Sequence, residues 1–483
     1  MIIVYIILAL LAVVLILLTV AVARTLLMPT KKANYAPTPD PKREKAYAEK
    51  LSQMVQVETI SYAEYSDAEK FRKFHALLEE LFPRVFAACE KIDLDGNLLL
   101  KWKGKTDKNP ILLMSHMDVV EASGNWSHAP FSGDIDDGKV WGRGSGDTKC
   151  SVMAFYQAVE ELLEKGYEPA CDIYLASSCT EEVGGDGAPK IVSWLKDHGV
   201  HLAMLSDEGG GIIEQPIAGI PGCFAMVGVF EKGIGNLRFV ARSQGGHASA
   251  PKKNTPLARL AAFITHVEKH YPFVSRFSPE VEEMFTRLAP YAGFGMRLVL
   301  GNLWLFKPLL LRVMPLISAQ AAAMLRTTIA FTMAKGSDGM NVIPQEASVI
   351  ANLRFIPHQG ARESHAIISS IAAKYGLETE IIQLGEPSES VDIHAPAFRL
   401  VEEAIAQCFP GVGCSPYVVT GGTDARFYSD VCENCIRFSP VIFGPEQMKG
   451  MHGIDENIQT NTLPGAVDFY TYLIRAQEKH PLD

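Results

Sequence analysis

The distribution of apolar residues divides the chain into a long uncharged start and a body of alternating segments. Residues 2–23 contain no charged side chain and consist mainly of Leu, Ile and Val. At about 1.5 Å per residue, a helix of this length spans the roughly 30 Å hydrocarbon core of a bilayer. The pattern therefore predicts an N-terminal transmembrane helix that anchors a single-pass membrane protein.

A cleaved signal peptide is the alternative interpretation of this segment. A signal peptide begins with basic residues and has a shorter apolar core, whereas no Lys or Arg precedes residues 2–23. Ala21-Val22-Ala23 nevertheless fits a cleavage motif, and cleavage there would give a secreted protein. Arg24, Lys31 and Lys32 favour a cytoplasmic body by the positive-inside rule, but the terminal amine opposes them, so the sequence does not decide the membrane side.

The body begins after a proline-containing segment. Residues 24–45 carry Pro29, Pro37, Pro39 and Pro41 and predict a tether. Apolar strands then alternate with amphipathic helices over residues 46–230, which is typical of an α/β fold with a mostly parallel mixed sheet flanked by helices. The clearest of these elements are predicted strands at 111–115, 172–177 and 202–206 and a helix at 151–165.

The pattern changes over residues 231–387 and returns to helix–strand alternation over residues 388–483. We interpret 231–387 as a smaller inserted α+β domain that splits the main domain into 46–230 and 388–483. The insertion is predicted to contain strands at 235–242, 347–355 and 378–384 and helices at 256–269 and 363–374.

One stretch of the insertion is apolar enough to be compared with a membrane span. Residues 298–325 are strongly apolar but contain Lys307 and Arg312. Two basic groups argue against a second membrane span. The stretch predicts a pair of core helices, with an apolar surface for acyl chains or for the bilayer as the alternative.

Composition narrows the class of protein. A chain of 483 residues predicts more than one domain, and 48 % hydrophobic with 21 % charged residues indicates a folded protein. The net charge of −10 argues against nucleic acid as a partner. The nine cysteines are scattered and odd in number, so we expect buried thiols, and Cys432 and Cys435 form a CxxC that no second pair completes into a zinc site.

The candidate chemistry is carried by histidines and carboxylates at predicted strand ends and in glycine-rich turns. These residues are His116, Asp147, Glu181, Glu182, Asp207 and His452. Imidazole and carboxylate donors together suit Zn²⁺, and also Co²⁺ or Mn²⁺. Two histidines with several carboxylates can hold two metals around an activated water. Because adjacent side chains point in different directions, one glutamate of the Glu181–Glu182 pair can ligate a metal while the other acts as the general base.

The order of these motifs resembles the M20 metallopeptidases, and most closely their carboxypeptidase S-like branch, which includes N-acyl-amino-acid hydrolases. The likeness covers nearly everything after the tether. The matching motifs are Ser115-His116-Met117-Asp118, Gly142 to Asp147, Thr180 to Gly185, Asp207 to Gly210, Gly245 to Ser249, Asn341 to Pro344, Gly421 to Asp424 and Met451 to Gly453.

The resemblance implies a di-zinc exopeptidase fold whose insertion is a ferredoxin-like lid or dimerisation domain. It implies that Asp147 bridges two zinc ions and is followed by a cis peptide bond. His116 and Glu182 would bind different metals, together with Asp207 and His452; Glu208 is the alternative to Asp207 as a ligand.

The resemblance also implies roles for residues around the metals. Glu181 would be the general base, and Asp118 would orient His116. His247 would stabilise the oxyanion, usually from the partner in a homodimer. The substrate's carbonyl and carboxylate would be held by Asn341, Arg354, Gly422 and Thr423.

The predicted activity is hydrolysis of an amide bond next to a free α-carboxylate, in a small peptide or an N-acyl amino acid. The enzyme would then be a carboxypeptidase or an N-acyl-amino-acid amidohydrolase. A dipeptidase or aminopeptidase with the same machinery is the first alternative, and a non-catalytic binding protein with a relict site is the second.

Overall fold

The N-terminal helix is followed by a packed segment and three further helices. The computed structural model describes residues 1–63, 67–479 and 482. The extended segment is shorter than the predicted tether: the first helix continues to Leu27, and the second starts at Pro41, where the Asp40 side chain accepts the Arg43 N–H. The segment also touches the body, because the Cys223 N–H donates to the Ala33 carbonyl at 3.0 Å. These helices are α1 (Ile2–Leu27), α2 (Pro41–Gln56), α3 (Ala68–Leu81) and α4 (Pro83–Ala88).

The next part of the chain alternates strands and helices, as the sequence predicts. Its elements are β1 (Glu90–Leu94), β2 (Asn97–Trp102), β3 (Thr106–Met114), β4 (Ile135–Asp136), β5 (Lys139–Trp141), α5 (Lys149–Glu164), β6 (Cys171–Ser177), α6 (Gly187–Asp197), β7 (Met204–Glu214) and β8 (Cys223–Glu231).

The inserted part contains both strands and a group of helices. Its elements are β9 (Gly233–Arg242), β10 (Gly246–His247), α7 (Pro256–Lys269), α8 (Pro279–Leu288), α9 (Phe294–Leu300), α10 (Leu303–Ile317), α11 (Ala319–Leu325), β11 (Thr328–Lys335), β12 (Val342–Ile343), β13 (Glu346–Phe355), α12 (Ala361–Lys374) and β14 (Glu378–Leu384).

The last part returns to the main sheet. Its elements are α13 (Pro396–Cys408), β15 (Gly413–Val419), β16 (Cys435–Phe443), α14 (Pro445–Gly450), β17 (Asn457–Gln459) and α15 (Leu463–Ala476).

The main sheet is mixed and has helices on both faces, as predicted. Its strand order is β1-β2-β6-β3-β7-β16-β8-β15. The four central strands β6, β3, β7 and β16 run parallel, whereas β1, β2 and β8 make antiparallel pairings. Every residue of β6 and β16 is buried, and most of these residues are apolar, as expected for strands that are covered on both faces. The core lies on one face around α5 and α15 and on the other around α6.

The insertion forms its own four-stranded antiparallel sheet in the order β11-β13-β9-β14. Helices α7 and α12 cover one face of it. Their apolar residues, such as Phe263 of α7, form a separate core with Phe239 and Leu353 of the sheet. The predicted strands and helices of this sheet are present with nearly the predicted bounds.

Helices α8 to α11 do not belong to that separate core. Their buried residues Val281, Met284, Phe285 and Leu325 join the main core cluster, and α8 packs on strand β15. The insertion therefore consists of a small sheet domain and a helical group that extends the main domain.

Candidate metal centre and active site

Three neighbouring parallel strands deliver candidate ligands to one edge of the main sheet. His116 follows β3, Glu181 and Glu182 follow β6, and Asp207 and Glu208 lie within β7. Strand β3 lies between the other two. Since the carboxyl ends of parallel strands share one edge, these residues meet there, as expected for an open α/β sheet.

Asp147 and His452 come from two loops that a buried carboxylate joins. Glu456 Oε1 accepts the main-chain N–H groups of Gly144, Gly146 and Asp147, each at 3.0 Å. Its other oxygen accepts from Arg143 at 2.6 Å. The loop of Asp147 is thereby held to the loop that carries His452. The peptide bond after Asp147 is cis, as the resemblance implies.

The carboxylate of Asp147 faces a histidine with each of its oxygens. His116 Nε2 lies 3.1 Å from Asp147 Oδ1, and His452 Nε2 lies 3.0 Å from Asp147 Oδ2. Glu182 Oε2 is 3.1 Å from the same His452 nitrogen. Ligand atoms of His116, Asp147 and Glu182 all lie within 4.8 Å of one another. These distances are compatible with a carboxylate shared between two cations.

The donor set fits divalent metals. Glu182 Oε1 is buried and has no hydrogen-bond partner among the described residues. A buried carboxylate oxygen without a donor is costly unless a cation balances it. Imidazole nitrogens and carboxylate oxygens are the donors that zinc binds in proteins.

Charges within the cluster shift the pKa values of its members. Hydrogen bonds to Asp147 and Glu182 raise the pKa of His452 to about 10. Burial acts to raise the pKa of Asp147, but the hydrogen bonds from His116 and His452 outweigh it and lower that pKa. The Asp147 carboxylate is therefore ionised over the whole physiological range, as a metal ligand must be.

Asp118 organises the turn after β6. Its carboxylate accepts the N–H of Glu181 at 3.2 Å, the N–H of Glu182 at 3.1 Å and the Ser61 hydroxyl at 2.7 Å. His116 Nδ1 donates to the main-chain oxygen of Asp118 at 2.9 Å, whereas the Asp118 carboxylate lies at 3.6 Å. Asp118 thus fixes the imidazole through its backbone and the two glutamates through its side chain.

Glu181 has the environment of a proton acceptor. Burial, above all, raises the pKa of Glu181 well above its usual value. Bound cations would lower it again, because a nearby positive charge favours the carboxylate. A carboxylate whose pKa is raised binds a proton more readily than an exposed glutamate, as a general base that later returns the proton must.

Asp207 and Glu208 point to different neighbours. The Asp207 carboxylate accepts the Ala425 N–H at 2.9 Å, and burial, followed by the charge of Asp424, raises the pKa of Asp207 to about 7. Burial also raises the pKa of Glu208, but there the strongest charge is that of Asp147. Glu208 lines the cavity beside Asp147, and Asp207 does not. Asp207 and Glu208 both stay candidate ligands, and Glu208 is the one that lines the cavity.

Two of the predicted substrate-contacting residues, His247 and Asn341, belong to one small region. His247 lies in the two-stranded sheet of β10 and β12, and Asn341 directly precedes β12. His247 is in β10, and the Ala248 N–H next to it donates to the Asn341 carbonyl at 2.9 Å. Both His247 and Asn341 are exposed. Within the described part of the chain, neither lines the cavity beside Asp147.

The other predicted contacts lie near a cluster of cations. A side chain at Gly422 would meet one terminal nitrogen of the Arg426 guanidinium, and the other terminal nitrogen approaches Gly184, two residues after Glu182. Burial and the charge of Arg426 lower the pKa of Arg354. Thr423 Oγ1 is buried without a hydrogen-bond partner among the described residues. This combination of two guanidinium groups and an unused hydroxyl can accept a carboxylate.

A cavity of about 850 Å³ opens from the metal centre. At one end it is lined by Asp147, Thr148 and Glu208, and the remaining wall is almost entirely apolar. Helices α8 to α11 contribute a large part of that wall, including Met284, Leu310, Met314, Ile317 and Met324. A wall of this kind can hold a hydrocarbon chain with its polar end at the metals.

The sequence reasoning missed Glu456 and Arg426. The position of Glu456, four residues after the candidate ligand His452, is the one feature of the sequence that could have drawn attention to it. Its hydrogen bonds to the Asp147 loop depend on the tertiary fold. Arg426 lies two residues after the Gly421 to Asp424 motif, which is its one signal. Neither residue type is unusual in a loop, so the pattern alone gave no reason to select them.

Comparisons with known proteins agree with this geometry. The sequence profile of peptidase family M20/M25/M40 matches residues 112–476. The chain is 33 % identical over 452 residues to "Probable carboxypeptidase S-like 2" of Dictyostelium discoideum, covering 90 % of this chain and 85 % of that one. It is 32 % identical over 458 residues to human "N-fatty-acyl-amino acid synthase/hydrolase PM20D1", and the match covers 92 % of this chain and 90 % of the human protein.

A solved structure shares the fold. The M20 family metallo-carboxypeptidase Sso-CP2 from Sulfolobus solfataricus superposes with a TM-score of 0.66 at 17 % identity, covering 89 % of this chain and 98 % of that one. The similarity therefore extends over the main domain and the insertion together.

Proposed function

Because the chain belongs to peptidase family M20/M25/M40 and is therefore a hydrolytic enzyme, we propose that it is a membrane-anchored, dinuclear zinc amidohydrolase of long-chain N-acyl amino acids. The observation that carries the choice of substrate is the apolar cavity that ends at Asp147 and Glu208. The names of its relatives, a carboxypeptidase S-like protein and an N-fatty-acyl-amino acid hydrolase, support an amide next to a free α-carboxylate as the bond that is cleaved.

The candidate ligands divide into two sets around Asp147. His452 and Glu182 would hold one zinc ion with Asp147 Oδ2. His116 and Glu208 would hold the other with Asp147 Oδ1, Asp207 being the ligand first predicted. When bound, the two cations polarise the scissile carbonyl and lower the pKa of the water between them. Co²⁺ or Mn²⁺ could occupy the same donors.

Glu181 moves the proton in this proposal. Its carboxylate takes a proton from the attacking water and gives it to the leaving amine, so the amide nitrogen departs as a neutral amino group. Asp118 keeps Glu181 in place through the N–H bond at 3.2 Å and holds Glu182 in the same turn. His247 stabilises the oxyanion from the insertion of a partner chain, which requires a homodimer.

The α-carboxylate and the acyl chain of the substrate bind to different parts of the site. Arg354 and Arg426, with Gly422 and Thr423 next to them, hold the α-carboxylate, and Asn341 contacts the carbonyl. The acyl chain lies among Met284, Leu310 and Met314 in the cavity. The four-stranded sheet of the insertion, which we interpret as a ferredoxin-like domain, acts as the lid or dimerisation surface.

The role of Glu181 has a direct test. Glu181→Ala should abolish hydrolysis while leaving the bound zinc near that of the wild type, because the residue is not a ligand. Glu182→Ala is the matched variant, and it should lose zinc as well as activity. If Glu181→Ala keeps most of its activity on every cleavable substrate, Glu181 is not the base.

A substrate panel separates the alternatives. Long-chain N-acyl amino acids, N-blocked dipeptides and free dipeptides should be cleaved in that order of kcat/KM. Preference for free dipeptides would instead indicate a dipeptidase or aminopeptidase, which needs a group to bind the free amine. Zinc-loaded protein without any hydrolysis would indicate a binding protein.

A further inference from the structure

The outward face of α10 is apolar although no part of the described chain covers it. Helices α9 and α10 meet at an angle of 99°. Their exposed large hydrophobic residues are Phe294, Trp304, Leu309, Val313, Leu316 and Ile317. We call these six side chains the α10 face. Leu316 and Ile317 are 84 % and 75 % exposed, which is unfavourable for leucine and isoleucine in water.

The α10 face is continuous with the N-terminal helix. Asn302, directly before α10, is fully buried and donates to the Ala21 carbonyl at 3.2 Å and to Thr25 Oγ1 at 3.0 Å. The Lys31 N–H donates to the Pro290 carbonyl at 2.9 Å, just before α9. The body therefore holds the last two turns of α1, which fixes the start of α10 at the depth where α1 ends.

The rest of α1 has the properties of a membrane span. Its mean hydropathy reaches 3.3, and only 6 % of its most apolar stretch is buried against the body. A helix this apolar and this exposed is stable only inside hydrocarbon. Any bilayer that surrounds α1 up to Ala21 must also reach the start of α10.

The charges around the α10 face suit lipid headgroups. Arg24, Lys31 and Lys32 follow the apolar part of α1, and Arg312 is exposed on α10. Lys307, the other basic residue of α10, is paired with Glu282. Trp304 lies at the start of α10, and tryptophan is enriched where hydrocarbon meets water. A protein that is acidic as a whole thus presents cations at this boundary.

The two sides of α10 have different neighbours. Leu310 and Met314 line the cavity, Leu309, Val313 and Leu316 point outward, and Ile317 does both. One helix therefore separates the cavity from the exposed surface, and the cavity reaches that surface at Ile317.

We propose that the α10 face lies in the headgroup region of the bilayer that α1 crosses, so that the cavity opens at Ile317 into the membrane and not into water. An amphiphile dissolved in the membrane then reaches the metal centre along the cavity, with its apolar part covered throughout. This membrane contact is additional to the anchor and does not depend on which amide bond is cleaved.

Depth-dependent quenching tests this arrangement on the full chain. Leu316→Cys and Ile317→Cys are labelled with bimane and reconstituted into phosphatidylcholine–phosphatidylglycerol vesicles with or without doxyl-labelled lipid. Ile382→Cys is the matched control, since Ile382 is 56 % exposed on β14 of the inserted sheet, outside the α10 face. The wild type, labelled in parallel, corrects for its own cysteines.

Labels at 316 and 317 should lose about half of their fluorescence or more, because a group buried roughly 5–10 Å into the boundary between headgroups and acyl chains lies within reach of the quencher. The label at 382 should be unchanged. Equal fluorescence with and without doxyl lipid at 316 and 317, or equal loss at 382, overturns the proposal. Labels that are shielded from aqueous iodide but not quenched by doxyl lipid would indicate a protein partner, such as a second copy, and also overturn it.

Discussion

At the scale of single residues, Asp147 is the centre of the site. Its two oxygens lie 3.1 and 3.0 Å from His116 and His452, which come from distant parts of the chain. The sequence identified the histidines and carboxylates of this cluster because their residue types and order are specific to metal chemistry. It could not decide between Asp207 and Glu208, because that choice depends on which way each side chain leaves strand β7.

Metal content distinguishes these two carboxylates. Glu208→Gln should lower the bound zinc from about two ions to about one per chain, because it removes an anionic ligand beside Asp147. Asp207→Asn should keep both ions, since its side chain can still accept the Ala425 N–H. Elemental analysis of the two purified variants checks this. The opposite pattern would restore Asp207 as the ligand.

A substitution at Glu456 tests whether this carboxylate, which is not a candidate metal ligand, holds the Asp147 loop in place. Glu456→Gln leaves Arg143 buried without its anion, and we expect a loss of about 3 kcal/mol in stability. Zinc affinity should fall about 10-fold or more, because residues that orient ligands have effects of this size.

Glu433→Gln, an exposed carboxylate elsewhere on the surface, is the control for Glu456→Gln and should change neither quantity. Thermal unfolding and zinc titration measure the two effects. An unchanged zinc affinity in Glu456→Gln would show that the loop does not need this carboxylate.

At the scale of elements, the strands and helices of both sheets follow from apolar periodicity. The predicted elements at 256–269 and 378–384 coincide with α7 and β14. The surface on which α8 to α11 pack could not be predicted from the sequence, because periodicity identifies the apolar face of a helix but not the surface that this face contacts. These helices pack on the main core, and in doing so they enclose the cavity beside Asp147.

The two sides of α10 give a matched pair of variants for the acyl cavity. Leu310→Trp adds bulk inside the cavity, and kcat/KM for a long-chain N-acyl amino acid should fall about tenfold, which corresponds to roughly 1.4 kcal/mol of overpacking. Hydrolysis of the N-acetyl amino acid should be unchanged. Leu309→Trp, on the exposed side, should change neither substrate.

Steady-state kinetics on both substrates checks this pair. A loss that is equal for the acetyl and the long-chain substrate in Leu310→Trp would place the acyl chain outside the cavity. Thermal unfolding of both variants separates this outcome from a folding defect.

At the scale of the whole molecule, α1 is long and apolar enough to cross a bilayer, and the guanidinium groups of Arg354 and Arg426 lie where an anion can bind. Residues 2–23 predicted this apolar helix, because an uncharged run of this length is typical of a membrane span or a signal sequence. The sequence did not predict that Asn302 binds the end of α1, since a buried asparagine has no signal in a pattern of apolar positions. That contact joins the helical group, which lines the cavity, to the N-terminal helix.

The most direct measurement of the central claim is zinc titration of the metal-free full chain with activity recorded at each step. The account predicts no hydrolysis without metal, binding of about two zinc ions per chain, and hydrolysis of a long-chain N-acyl amino acid that returns as both sites fill. Full activity in the metal-free chain would contradict the account, and so would binding of two zinc ions without hydrolysis of any N-acyl amino acid.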